Sequence, residues 1–115
     1  MALPWVRLDT QFASNPKILE LISAKKHRAA FAWVASLGYC GTHGTDGFIP
    51  DLALMYVHAT KADARDLVEV GLWLQCNGGY EVNGWLDFQA SDDEAKARSD
   101  KARKAAEARW KKKAI

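Results

Sequence analysis

Apolar positions recur at helical spacing in the stretches after Asn15, Lys26, Pro50 and Thr60, and gather into short β-prone runs at residues 48–49, 72–76 and 80–83. Residues 4–13 mix apolar and polar side chains and read as a short extended arm or strand. Asn15-Pro16 then supplies a helix cap followed by a first-turn proline. Ile18, Leu19, Leu21 and Ile22 form the apolar face of that helix, and Lys25 and Lys26 mark its end. From His27 to about Gly41 the positions Ala30, Phe31, Val34, Ala35 and Leu37 keep a helical period, widened by Trp33 and Tyr39. The Gly41–Gly47 stretch breaks the pattern.

Phe48-Ile49, held between Gly47 and Pro50, suits a very short edge strand. A further helix is expected from Pro50-Asp51 to about Ala59, with Leu52, Leu54, Met55 and Val57 as core positions. Thr60 caps the next, Lys61 to about Val70, which buries Leu67, Val68 and Val70 and stops at Gly71. Residues 72–76 and 80–83 flank Asn77-Gly78-Gly79, a strong short-range hairpin signal. Residues 84–88 lead away from the sheet.

Beyond residue 90 the pattern changes. Ser91 with Glu94 reads as a capping box, and Asp92 and Asp93 complement the helix dipole. The pairs Glu94–Arg98, Asp100–Lys104 and Glu107–Lys111 place acid four residues before base. A long helix from about Asp92 to about Lys111 is predicted, with a weakly apolar stripe of Ala95, Ser99, Ala102, Ala106 and Trp110. The chain therefore divides into a folded unit, 1–90, and a basic C-terminal helix, 91–115.

Charge sharpens that division. Glu94 to Ile115 holds nine Lys and Arg against three Asp and Glu, a net +6, while the preceding residues carry seven against eleven, a net −4. A mildly acidic body with a strongly basic end points to a polyanionic partner, nucleic acid above all. At 115 residues the chain has room for one domain with a real core. No apolar run is long enough to span a bilayer, and Arg7 and Asp9 interrupt the N-terminus where a secretory signal needs a clean apolar stretch. The reading is a cytoplasmic protein without a membrane partner, in which Cys40 and Cys76 remain thiols.

The order after the first short helix is helix, short strand, helix, helix, hairpin. This is the arrangement of a winged helix-turn-helix, mainly α with a small β-hairpin wing, here extended by the long basic helix. The second helix of the pair, Lys61–Val70, is then the one offered to the major groove. The phrases WVRLDTQF…NPKILEL, TDGFIP, LVEVGLW, GYEVNGWLDFQ and RKAAEARWKKK resemble small phage-encoded winged helix-turn-helix proteins of the actinobacteriophage type. They are similar to the N-terminal DNA-binding part of phage replication organiser and initiation proteins. The resemblance covers nearly the whole chain. It implies a winged-helix fold, DNA as ligand, and a role in replication initiation or transcriptional regulation.

Within the supposed recognition helix Lys61 and Arg65 stand beside Asp63, Asp66 and Glu69, a net −1. Lys61 and Arg65 are the DNA-binding candidates there, with His58 and Thr60 nearby; equally, Arg65 pairs with Asp66 or Glu69 as an ordinary surface group. The hairpin tip carries no cation. Most of the affinity is expected from Lys101, Arg103, Lys104, Arg109, Lys111, Lys112 and Lys113, with Trp110 to stack on a base or dock on the body. The competing reading is a solvated, solubilising tail.

An alternative is a protein-interaction module that binds a host or phage protein with the basic helix as docking element; a homodimer is also open. Cys40, His43, His58 and Cys76 are metal-ligand types at spacings that do not suit a structural zinc site. The Gly41–Gly47 loop lacks the ending of a phosphate-binding loop, and no catalytic motif stands out, so neither cofactor nor enzymatic activity is expected. Phe31, Trp33, Phe48, Trp73 and Trp85 are read as core.

Overall fold

The structure is a computed structural model and describes residues 2–89. The predicted basic helix, 91–115, lies outside the described residues. The N-terminal segment forms no strand. It runs irregularly to a 3-10 turn, Phe12–Ser14, and the Leu3 amide donates to the Gly41 carbonyl at 2.8 Å.

Helix α1 spans Pro16–Ser23. Its cap is the predicted one: the Asn15 side-chain oxygen accepts from the Lys17 amide at 2.9 Å. Ile18 and Leu21 are buried, whereas Leu19 and Ile22 stay at the surface. Helix α2 spans His27–His43 and ends at Gly44 in the left-handed conformation. Its buried stripe is Ala29, Ala32, Ser36, Leu37, Cys40 and Gly41, turned from the expected face. Phe31, expected in the core, is 56% exposed. At Gly41 a Cβ would stand 2.5 Å from Val6 Cγ1, so the missing side chain lets the N-terminal segment close on α2.

Strand β1, Phe48–Pro50, is the expected edge strand. A proline is tolerated there because an edge leaves amides outside the ladder. The segment Asp51–Val57 departs from expectation: it winds as a 3-10 helix and is closed by His58, which takes a left-handed φ of 60°. Three residues per turn put Leu54 and Val57 on one side and Leu52 and Met55 on another. Leu54 and Val57 enter the core with Ala53, while Leu52 is 94% and Met55 81% exposed.

Helix α3 spans Lys61–Val70 and stops at Gly71 in the left-handed conformation. Leu67 is buried, and Val68 and Val70 are half-buried. Strands β2 (Trp73–Cys76) and β3 (Gly79–Val82) form the hairpin on a two-residue Asn77-Gly78 turn. The three strands make one antiparallel sheet in the order β1-β3-β2. Gly79 faces Pro50 across the β1–β3 pair, and a Cβ on it would overlap the Ile49 carbonyl oxygen and stand 2.8 Å from Pro50 Cα. Glycine is therefore required for β1 to close on the hairpin. Residues Trp85–Phe88 form a single helical turn, α4.

The core gathers where α1, α2 and α3 meet the inner face of the sheet. Trp73 is completely buried in it, as are Leu21, Ile49, Val57 and Leu67. Trp85 is buried as expected, whereas Trp33 and Phe48 are only partly covered. Among the described residues no helix is long and apolar enough to cross a membrane.

Candidate nucleic-acid interface

The sequence-predicted site divides in two. Lys61 and Arg65 are described; Lys101, Arg103, Lys104, Arg109, Lys111, Lys112 and Lys113 lie outside the described residues. Helix α3 starts at Thr60, whose hydroxyl accepts from the Asp63 amide at 3.2 Å while the Asp63 carboxylate accepts from the Thr60 amide at 2.9 Å and from its hydroxyl at 3.0 Å. This reciprocal capping box sets where the helix begins and turns Asp63 inward. The exposed positions of α3 are then Lys61, Ala62, Arg65 and Glu69, an outward stripe at helical spacing.

The carboxylates that made this helix net negative on paper are largely drawn elsewhere. Asp63 also accepts from the Arg28 guanidinium at 3.1 Å, and Asp66 accepts from the Lys26 ammonium at 2.8 Å. Both cations come from the start of α2, 35 and 40 residues earlier in the chain. Of the five charges on α3, three remain on its outward side: Lys61, Arg65 and Glu69, a net +1. Among the described residues no ion pair holds Arg65, so the alternative in which it pairs with Asp66 or Glu69 is not formed.

The run Lys25-Lys26-His27-Arg28 thus belongs beside α3, although by sequence it only marked a helix end. Lys25 stands in a left-handed conformation, φ 61°, at the knuckle between α1 and α2. The signal was there as three cations in four residues; what was missing was the fold that carries them to α3. His58 and Thr60, which flank the start of α3, are exposed.

Burial pushes the Asp63 carboxyl up, but its bonds from Thr60 and the nearby Arg28 outweigh that and hold it below its ordinary 3.8. A depressed carboxylate stabilises the fold fully above its ordinary value and loses that contribution as pH falls through the folded value. Asp63→Asn is therefore expected to cost about 1 kcal/mol at neutral pH, the usual size of a lost cap. Melting curves should show the gap between variant and parent closing in acid below the ordinary carboxylate range. A constant gap at every pH would mean that the charge on Asp63 contributes nothing.

Neither thiol is activated. Burial raises Cys40 to about 11, and its sulfur lies 3.7 Å from the Phe48 carbonyl. Desolvation, then Glu81 and Asp51, raise Cys76. Among the described residues no group of three or more His, Cys, Asp or Glu side chains is arranged to hold a metal ion.

A groove of about 780 Å³ runs between the N-terminal segment and the α4 turn, over a floor that includes Trp33, Leu37, Leu72 and Trp85. Its rim is of mixed charge, with Arg7 and Lys17 against Asp9 and Asp87. The Ser14 hydroxyl on its wall donates to the Gln11 carbonyl at 3.1 Å. At the end of the groove Gln89 clamps the N-terminal segment. Its side-chain oxygen accepts from the Arg7 amide at 2.7 Å, and its amide nitrogen donates to the Arg7 carbonyl at 2.6 Å.

Comparison of the chain with protein-family models, with curated proteins and with solved structures finds no match.

Proposed function

We propose that this chain is a double-stranded DNA-binding protein built as a winged helix, acting in phage replication initiation or transcriptional regulation within the host cytoplasm. The observation that carries the reading is the outward stripe of α3. Lys61 and Arg65 are exposed and unpaired among the described residues, while Asp63 and Asp66 are held by Arg28 and Lys26. The order α2, β1, 3-10 segment, α3, β2, β3 with β3 between β1 and β2 supports the winged-helix assignment. In that geometry the 3-10 segment and α3 form the helix-turn-helix, joined through His58-Ala59-Thr60, and α3 faces the major groove. The phage context rests on the sequence resemblance alone.

In this reading Lys61 and Arg65 set the register on the duplex. Lys101, Arg103, Lys104, Arg109, Lys111, Lys112 and Lys113 supply most of the affinity by displacing counterions from phosphates. No catalysis is invoked. The hairpin tip, Asn77-Gly78, offers no cation to a minor groove.

The test is fluorescence anisotropy of the full chain on an unrelated duplex across salt concentrations. The logarithm of affinity should fall linearly with the logarithm of salt. Lys61→Ala should weaken binding to all sequences alike and lower the salt slope by about 1. If a preferred site exists, Arg65→Ala should cost about 1–3 kcal/mol there and relax the preference. Absence of binding, or binding indifferent to salt, overturns the reading.

The alternative, an interaction module for a host or phage protein with the basic segment as docking element, is favoured by one observation. Leu52 and Met55 stand largely exposed on the 3-10 segment that precedes α3.

A further inference from the structure

Helix α3 meets solvent over a limited arc. At about 3.6 residues per turn, Arg65 lies about 40° and Glu69 about 80° round the axis from Lys61. Half-buried Asp66 lies about 140° round in the same direction, at the opposite margin. Arg65 and Glu69 therefore occupy the middle of the exposed arc, and Lys61 one edge of it. Ala62, the remaining exposed residue of the arc, adds little bulk. Arg65 and Glu69 are separated by about 6 Å along the axis.

Both of these side chains are free. They stand at the i, i+4 spacing where an acid and a base on a helix can meet. Among the described residues, however, no ion pair holds either of them. Asp63 and Asp66 are taken by Arg28 and Lys26, so Glu69 is the one carboxylate that α3 leaves facing outward. It sits in the last turn, against the negative end of the helix dipole, and no basic residue of that turn offsets it. The helix by itself gains nothing from an acid there. Facing a phosphate, Glu69 would repel it. Facing base edges in the middle of the major groove, it has a partner. The cytosine N4 amine donates to a carboxylate, just as guanine O6 and N7 accept from a guanidinium.

We propose that Arg65 and Glu69 are a base-reading pair, Arg65 for guanine and Glu69 for cytosine. The assignment rests on the DNA-binding role proposed above and specifies the duplex which that role requires. About 6 Å along α3 is nearly two base-pair rises of about 3.4 Å, so the site holds two G·C pairs no more than about two steps apart. Lys61, at the edge of the arc, meets a phosphate.

Selection by the full chain from a randomised duplex library tests it, at about 200 mM salt to weaken the sequence-independent contacts. The parent should enrich G·C at two positions within about two steps, each by about 5-fold or more over the other pairs. Glu69→Gln should turn the cytosine to adenine, since a glutamine amide pairs with adenine N6 and N7, and should leave the guanine in place. Arg65→Ala should erase the guanine preference and keep the cytosine. Far-UV circular dichroism and melting should stay at parent values in both variants, because both positions are exposed. A parent that binds duplexes with no enriched base overturns the pair and leaves the DNA reading standing. A Glu69→Gln variant that selects the parent's bases does the same. A parent that binds no duplex in the anisotropy titration overturns the DNA reading itself, and the pair with it.

Discussion

Trp73→Ala is expected to cost about 3–5 kcal/mol in equilibrium urea unfolding, the range for removing a large buried aromatic. Trp73 has no exposed surface, and it stands on β2 where the sheet meets α2. Its ring lies 5.3 Å from that of Tyr80 across the hairpin. Its indole N–H donates to the Ser36 hydroxyl at 3.2 Å, and that hydroxyl donates to the Trp33 carbonyl at 2.6 Å. The chain of two bonds explains why a serine occupies the buried stripe of α2: an alanine there would leave the indole donor without a partner. Ser36→Ala alone should therefore cost about 1–3 kcal/mol. In a Trp73→Phe background, where no donor remains, Ser36→Ala should cost clearly less. Equal costs in both backgrounds would show that the bond does not contribute, and a Trp73→Ala loss under about 1 kcal/mol would place the centre of the core elsewhere.

Changing Lys101, Arg103, Lys104, Arg109, Lys111, Lys112 and Lys113 together to Ala should produce the largest functional effect. Each cation that neutralises a phosphate adds about 0.9 to the slope of log affinity against log salt. Seven such contacts amount to a slope of roughly 6, which is worth on the order of 10³-fold in affinity between 50 and 200 mM salt. The variant should lose that steepness and keep the small residual slope of Lys61, Arg65 and the Lys25–Arg28 knuckle. The measurement is a salt titration of both proteins on one unrelated duplex, read beside their circular dichroism. A variant that binds as tightly as the parent at every salt concentration would remove the tail from the interface and leave α3 to account for binding by itself. Because the described body carries more carboxylates than cations, that outcome would also weaken the DNA reading as a whole.

Much of the fold was legible in local chemistry. Asn15-Pro16, Thr60, Gly71 and Asn77-Gly78 act within a turn of themselves, so their consequences can be read without knowing the rest of the chain. The edge strand at Phe48 was legible for the same reason. The faces were less so. On α2 the large residues Phe31 and Val34 fit a helical period as well as the small ones beside them. Which stripe turns inward depended on contacts with α3 and the sheet, which the helical period does not encode. On Asp51–Val57 the composition allowed a helix, and only a tighter winding sends Leu52 and Met55 to the surface.

The candidate site follows the same rule. Lys61 and Arg65 could be named from type and position, and the cation-rich C-terminus from a count of charges. That Asp63 and Asp66 would be withdrawn from α3 by Arg28 and Lys26 could not, because those partners stand 35 and 40 residues away along the chain.

By itself the sequence determined where α1 and α3 start, where α3 stops, where the hairpin turns, and that positive charge gathers at one end of the chain. Each of these follows from backbone groups and charges acting on near neighbours. Tertiary structure alone decided which stripe of each helix is core, why Ser36 lies beneath Trp73, and what charge α3 presents outward. Those outcomes belong to contacts between distant segments, where burial and ion pairing are settled by which surfaces the whole fold brings together.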